Sequence, residues 1–233
     1  MDNSKPLVSV LMSVRNGEQT VEKSIKSILN QSYDYFEFLI VDDCSTDSTL
    51  EKLKILEKQD GRISIFTNSE NIGLTKSLNK LIKNTKGELI ARQDSDDYSN
   101  PERIYTQVRY LLKNNLDAVT SRALIIGSTK KIPGFSYYIP EKLLMKYKNP
   151  FIHGSLIIKK QVLNDLGLYD ENFYYAQDYK LMNDLLLRNY HPYIIKEPLY
   201  VLNQKDNIST NHKKEQDYFA HCVRKKQQPS MNL

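Results

Sequence analysis

The sequence predicts an α/β protein whose core is a largely parallel sheet flanked by helices. Three observations carry that expectation. Four times between residues 7 and 115, a short apolar run precedes a segment with apolar residues at helical spacing. The first two runs are dense in Val, Ile, Leu and Phe rather than alternating, as in strands covered on both faces. Strand–helix units repeated in this way pack through right-handed crossovers, which keeps their strands parallel.

The elements follow in order. Leu7 to Met12 is a buried strand, broken by Ser13-Val14-Arg15-Asn16-Gly17, and Val21, Ile25, Ile28 and Leu29 set a helix face. Tyr35 to Val41 is the second strand, ending in Asp42-Asp43-Cys44-Ser45-Thr46-Asp47. Ser48 with Glu51 has the spacing of a capping box, and Leu50, Leu53 and Leu56 line the helix after it. Ile63 to Phe66 is the third strand; a polar loop, Asn68 to Gly73, leads to a helix carrying Leu74, Leu78, Leu81 and Ile82. Glu88 to Arg92 is the fourth strand. Pro101 then sits in a first helical turn, ahead of Ile104, Val108, Leu111 and Leu112.

Past residue 115 the alternation loosens. Ala118 to Ile126 and Phe151 to Ile158 read as strands, the second interrupted by His153-Gly154. Short helices are expected around Leu143, Leu144 and Tyr147, and at Val162 to Leu166, stopped by Gly167. A Tyr-rich loop, Tyr169 to Tyr175, leads into a helix with Leu181, Leu185 and Tyr190. From Lys205 the chain is polar and basic, with Lys213-Lys214 and Arg224-Lys225-Lys226. That tail reads either as a solvated, frayed terminus or as a segment attracted to an anionic inner leaflet.

Composition narrows the class. The 233 residues are 40% hydrophobic and 26% charged, as in a soluble globular protein. The net charge of +5 suits anionic ligands, but no basic stripe with interleaved aromatics argues for nucleic acid. Two distant cysteines, Cys44 and Cys222, fit a reducing cytosol better than a disulfide scaffold. The polar start lacks a signal-peptide core, and no apolar run is long enough to span a bilayer, so membrane contact is expected to be peripheral.

Chemistry concentrates at Gln93-Asp94-Ser95-Asp96-Asp97-Tyr98. Three carboxylates within four residues repel one another unless a solvated turn or a cation offsets their charge. Oxygen-only ligands favour a hard ion, Mg²⁺ or Mn²⁺. In open α/β sheets ligands bind beyond the carboxyl ends of the strands. Ser13 to Gly17, Asp42 to Asp47 and Asp94 to Asp97 all fall there and converge on one crevice.

In this order, these motifs resemble one family. They are the strand ending Ser13-Val14-Arg15-Asn16, then Val41-Asp42-Asp43-Cys44-Ser45-Thr46-Asp47, Asn71-Ile72-Gly73-Leu74 and Ala91-Arg92-Gln93-Asp94-Ser95-Asp96-Asp97, followed by Pro101-Glu102-Arg103. His153-Gly154-Ser155, Gly167-Leu168-Tyr169-Asp170 and Ala176-Gln177-Asp178-Tyr179 complete the set. From about Leu7 to Leu202 the chain is similar to the family-2 inverting glycosyltransferases, particularly bacterial surface-polysaccharide members. The resemblance implies the GT-A fold, a Rossmann-like, mostly parallel sheet flanked by helices. One domain would cover residues 1–205, with a donor half at about 7–115 and an acceptor half at about 116–205, ahead of a basic tail at 206–233.

It also implies roles. Asp43 matches the carboxylate that binds the donor's base, with Ser13 and Arg15 at nucleotide-contacting positions, where the Arg15 guanidinium can stack in place of an aromatic. Asp94, Ser95 and Asp96 match the Asp-X-Asp motif, Asp96 as metal ligand with Asp94 nearer the ribose, and Asp97 supports them. Asp178 matches the general base, against a plain helix cap. The family frequently has Glu-Asp there; Gln177-Asp178 keeps the base and drops a charge. His153 falls in the acceptor or diphosphate region, or is a structural hydrogen-bonding residue. Asn71 and Lys76 line the donor pocket or face solvent. Tyr174 and Tyr175 stack on sugar or simply pack.

The function so implied is transfer of a hexose or N-acetylhexosamine from a UDP-sugar, with Mn²⁺ or Mg²⁺, to a glycan acceptor, including a polyprenyl-diphosphate-linked one. It would take place in the cytoplasm or at the inner face of the membrane, in capsule, O-antigen or lipooligosaccharide synthesis. Without a longer C-terminal membrane segment, a processive synthase is not expected. Two other classes share some features. A nucleotidyltransferase also pairs aspartates with a metal, although its first loop is usually richer in glycine and basic residues. A non-catalytic sugar-nucleotide or glycan-binding module would need no base.

Overall fold

The computed structural model describes residues 5–203 and 212–230. Around a central strand β1 (Val8–Val14) lie β2 (Phe36–Asp42) and β4 (Leu89–Arg92), both parallel to it, and β3 (Ile63–Thr67) extends the sheet beyond β2. The helices between them are α1 (Val21–Leu29), α2 (Thr49–Gln59) and α3 (Gly73–Lys83). These strand–helix units stand as the periodicity predicts.

The second half builds onto the β4 edge. β5 (Tyr98–Ser99) precedes α4 (Arg103–Lys113) and β6 (Ala118–Ile125). β7 (Lys131–Ile132), a 3₁₀ turn at Phe135–Tyr138 and α5 (Glu141–Leu144) follow. A 3₁₀ turn at His153–Ser155 opens into β8 (Ile157–Lys159), α6 (Lys160–Leu166), α7 (Gln177–Leu187), β9 (Pro192–Leu202) and α8 (Lys213–Lys225). Among the described residues the sheet has nine strands in the order β3-β2-β1-β4-β8-β6-β9-β5, with β7 beside β6. β8, β7 and β5 run against the others, so the sheet is mixed but mostly parallel.

Side-chain alternation gives the sheet two cores. Val8, Val10 and Met12 face one side with Ile25, Leu53, Ile104 and Leu111 from α1, α2 and α4. Leu11, Leu39 and Val41 face the other with Leu81, Leu163, Met182 and Phe219 from α3, α6, α7 and α8. Both faces are thus covered, which explains why the first strands read as unbroken apolar runs.

Four local differences have physical causes. Ser48 does not form a capping box: its hydroxyl donates to Glu18, and Asp47 instead accepts from the Thr49 amide and hydroxyl. Phe151 to Ile158 is not one strand, because the 3₁₀ turn takes its middle. β9 was not foreshadowed, since Lys196-Glu197-Pro198 interrupts its apolar run. Its register against β6 shifts at Arg122, which pairs with Pro198, a residue with no amide to donate. Finally, part of the expected frayed tail is helix α8, anchored by buried Phe219, Cys222 and Val223. Residues 226–230 follow it outside any helix, and 206–211 and 231–233 lie outside the described residues.

Candidate active site

The strand register sets the site. Val14 pairs with Asp42, and Leu11 with Arg92, so the three loops leave the sheet side by side. The Asn16 amide donates to Ser45 Oγ at 3.0 Å, and Thr46 N donates to Asn16 Oδ1 at 2.8 Å. Ser24 Oγ on α1 donates to the Asp94 carbonyl at 2.8 Å. The three segments singled out in the sequence therefore meet.

Of the residues expected to receive the nucleotide, Ser13 is half-buried on β1 and Arg15 is exposed just beyond it. Asp43 is buried, and its carboxylate accepts from Asn68 Nδ2 (2.8 Å), Ile72 N (3.0 Å) and Gly73 N (2.9 Å). It thereby ties β2 to the start of α3. Gly73 has φ +82°, and a Cβ there would lie 2.5 Å from the Tyr174 ring, so this tyrosine covers the same turn. Tyr175, by contrast, is buried against Phe219 of α8. Asn71 is exposed and its Oδ1 caps Gly73 N; Lys76 is exposed on α3.

The acidic turn is held from beneath. Arg92, 1% exposed, donates to Asp94 Oδ1 at 2.6 Å and to the Leu11 carbonyl at 2.9 Å. The Asp94 amide donates to Tyr200 Oη at 3.1 Å. Gln93 Nε2 donates to the Asp94 and Asp97 carbonyls, and its Oε1 accepts from Ser99 Oγ at 2.6 Å. Buried Arg103 donates to the Arg92 carbonyl at 3.1 Å, and burial brings its pKa down to about 10. Ser95 lies half-buried between these supports and Gly17.

The carboxylates differ in their partners. Asp97 is buried and accepts from Asn203 N at 2.7 Å; burial and then the charges of Asp94 and Asp96 push its pKa up to about 8. Asp96 makes no ion pair among the described residues, and burial, with Asp94 adding, pushes it up to about 6. Such uncompensated charge is what a cation would relieve. Among the described residues no cluster of three His, Cys, Asp or Glu could cage a metal. The turn offers a hard ion one or two carboxylates, Asp96 and Asp94, a donor number compatible with the way Mg²⁺ is commonly bound.

The second half of the chain approaches through Gly154. A Cβ there would lie 2.3 Å from Tyr200 Oη and 2.6 Å from Asp94 Oδ2, so the 3₁₀ turn can reach the acidic turn only with glycine. His153 Nε2 shares a 2.8 Å hydrogen bond with Tyr169 Oη. Burial and the nearby Arg92 hold its pKa well below the ordinary value, so the ring is neutral.

Asp178 occupies the first turn of α7, with half-buried Gln177 before it and Ala176 in the left-handed region at φ 53°. Asn149 Nδ2 donates to Asp178 Oδ2 at 2.8 Å. Burial raises the Asp178 pKa, Asn149 among others opposes that, and Asp94 adds to it. Asp178 and Asn149 border a cavity of about 460 Å³ whose far wall is α8, through Lys213, Gln216 and Asp217. Spacing pointed to the acidic turn, and the family resemblance to Asp43 and Asp178. Their holders Arg92, Gln93, Asn149 and Tyr200, and the α8 wall, were not singled out. Only the motifs containing Arg92 and Gln93 hinted at them.

Against known structures the fold is that of the GT-A glycosyltransferases. S. aureus TarS in complex with UDP superposes with a TM-score of 0.72 at 22% identity, covering 93% of this chain and 64% of that one. The mannosyltransferase PcManGT from Pyrobaculum calidifontis, solved with GDP-Man and Mn²⁺, gives 0.70 at 20% identity over 91% and 60%. The chain belongs to glycosyl transferase family 2, whose model matches residues 9–167. It is 32% identical over 185 residues to the Escherichia coli UDP-Glc:alpha-D-GlcNAc-diphosphoundecaprenol beta-1,3-glucosyltransferase WfgD, covering 78% of this chain and 71% of WfgD. It thus spans less than two thirds of either solved chain. Family membership sets the nucleotidyltransferase alternative aside. Among the described residues no helix is long and apolar enough to cross a membrane.

Proposed function

We propose that this chain is a metal-dependent, inverting glycosyltransferase of bacterial surface-polysaccharide synthesis. It moves a hexose or N-acetylhexosamine from a UDP-sugar to a glycan acceptor of the capsule, O-antigen or lipooligosaccharide kind. The observation that carries this is Asp178. It is a carboxylate with a burial-raised pKa, oriented by Asn149, beside a cavity and within the field of the acidic turn. A raised pKa makes a carboxylate a stronger base while it is still ionised near neutrality. The likeness to TarS, solved with UDP and with UDP-GlcNAc, favours a UDP-sugar, and the name of WfgD favours a polyprenyl-diphosphate-linked acceptor.

In this mechanism Asp43 and the loops around Ser13, Arg15, Asn71 and Lys76 receive the nucleotide. Asp96, with Asp94 beside it, would hold a divalent ion, which when bound supplies positive charge against the departing diphosphate. Arg92 keeps Asp94 in place and neutralises part of the turn's charge. The acceptor hydroxyl attacks the anomeric carbon as its bond to the diphosphate oxygen breaks, and the hydroxyl proton passes to Asp178. Neutral His153 and Gln177 border the acceptor, and Asp97 supports the turn from behind. The reaction takes place in the cytoplasm, at the inner face of the membrane.

Incubation with UDP-sugars, Mn²⁺ and a glycan acceptor, followed by proton NMR of the product, tests this. The expected product has the anomeric configuration opposite to the donor's, and EDTA stops its formation until Mn²⁺ is restored. A retained configuration, or full activity in EDTA, would contradict the proposal.

A further inference from the structure

One segment, residues 126–148, combines bare aromatic rings with cations that make no ion pair among the described residues. Phe135 is 84% exposed, Tyr138 66%, Leu143 47% and Tyr147 70%. Their segment is not loose chain. Buried Leu144 and Met145 anchor it, Tyr137 packs on the core under the Arg122 guanidinium, and the Phe135 and Tyr138 rings lie 6.3 Å apart. The rings are thus held outward by a built support.

The charges around them have one sign. Between residues 126 and 148 five lysines, Lys130, Lys131, Lys142, Lys146 and Lys148, accompany a single acid, Glu141. All five are exposed, and none is ion-paired among the described residues. α8 adds to the same face: its last turn carries exposed Arg224 and Lys225, with Lys226 following, and Arg224 Nη1 donates to the Tyr147 carbonyl at 3.4 Å. The face also adjoins the acceptor side. Tyr147 is two residues from Asn149, which holds Asp178, and α8 borders the Asp178 cavity from Lys213 to Ala220, about 6 Å along the helix from Arg224.

We propose that this face, formed by 135–147 and the end of α8, docks the protein on an anionic lipid bilayer. Exposed Phe and Tyr suit the headgroup level, where an apolar body and a polar tip are both satisfied. Surrounding lysines and arginine are drawn to the negative surface potential of anionic lipids. A symmetric contact between two copies would instead place the same cations against one another. The proposal deepens the functional reading, because it brings the Asp178 cavity to the surface where a lipid-linked acceptor resides. The basic α8 end alone is a small part of it; the aromatic segment is the larger part.

Co-sedimentation with phosphatidylcholine vesicles, with and without phosphatidylglycerol, tests the proposal without any donor or acceptor. The protein is expected to bind the anionic vesicles, weakly or not at all the neutral ones, and to be released by salt. Lys142→Glu with Lys146→Glu should lower that partitioning by roughly 30-fold or more. Phe135→Ser with Tyr138→Ser should lower it at unchanged charge, and circular dichroism of both variants should match the parent. Parent protein that ignores anionic vesicles overturns the proposal. So does binding that survives both double variants, preference for an RNA oligonucleotide over vesicles, or a dimer that the aromatic variant splits. Transfer to a water-soluble acceptor should persist in all these variants. If transfer is absent while vesicle binding holds, the functional reading falls and the docking face stands.

Discussion

Asp178 is where folding and chemistry oppose each other. Burial raises its pKa in the folded chain above the ordinary Asp value of 3.8. A carboxyl shifted upward binds a proton more tightly when folded, so stability falls as pH rises from the unfolded value through the folded one. Asp178→Asn removes that cost. It is expected to melt at higher temperature than the parent at mildly alkaline pH, and the gap should close below pH 3.8, where neither state is charged. Scanning calorimetry across pH checks this; equal midpoints at alkaline pH would contradict it. Asn149 acts in the other direction, since its 2.8 Å hydrogen bond favours the ionised form. Asn149→Ala should therefore move the acid limb of kcat/KM to higher pH and leave UDP affinity unchanged. A change in UDP affinity without a shifted limb would make Asn149 merely structural. Sequence pattern exposed Asp94 and Asp96 because carboxylates crowd at the end of a strand, whereas Asp178 was marked only through the family resemblance. It did not expose Asn149 or Tyr200 as holders, because their contacts span 29 and 106 residues and leave no local spacing; Arg92 lies only two residues from Asp94, but adjacency alone did not mark it as the buried partner.

Among the elements, the four strand–helix units were legible because the apolar spacing within each element marks the face it buries, whichever neighbour it packs against. β9 and α8 were not. β9 finds its parallel partner, β6, far back in the sequence, and Pro198 breaks its pattern. α8 is strongly charged and enters the core through only a few residues, Phe219, Cys222 and Val223. Those residues pack beside Phe173 and Tyr175, so α8 braces the loop ahead of Asp178. Phe219→Ala should cost about 3–5 kcal/mol in urea unfolding, as deletion of a buried aromatic does. A cost below about 1 kcal/mol would mean that α8 is only loosely seated in solution.

At the scale of the whole molecule, the sheet delivers three loops to one edge, and the second half of the chain places Gly154, His153 and Asp178 against them. In the proposed mechanism one arm would hold the leaving group and the other would accept the proton. The acidic turn already carries Arg92 and pKa values raised by burial and then by its own crowding, whereas Asp178 stands apart with an amide partner and a cavity before it. The most direct measurement of that division is sugar transfer by Asp178→Asn, with UDP affinity determined by calorimetry on the same preparation. Transfer is expected to fall by about 10²–10⁴-fold, the usual contribution of a general base, with UDP affinity unchanged. Transfer at the parent rate would contradict the assignment of Asp178 as the base.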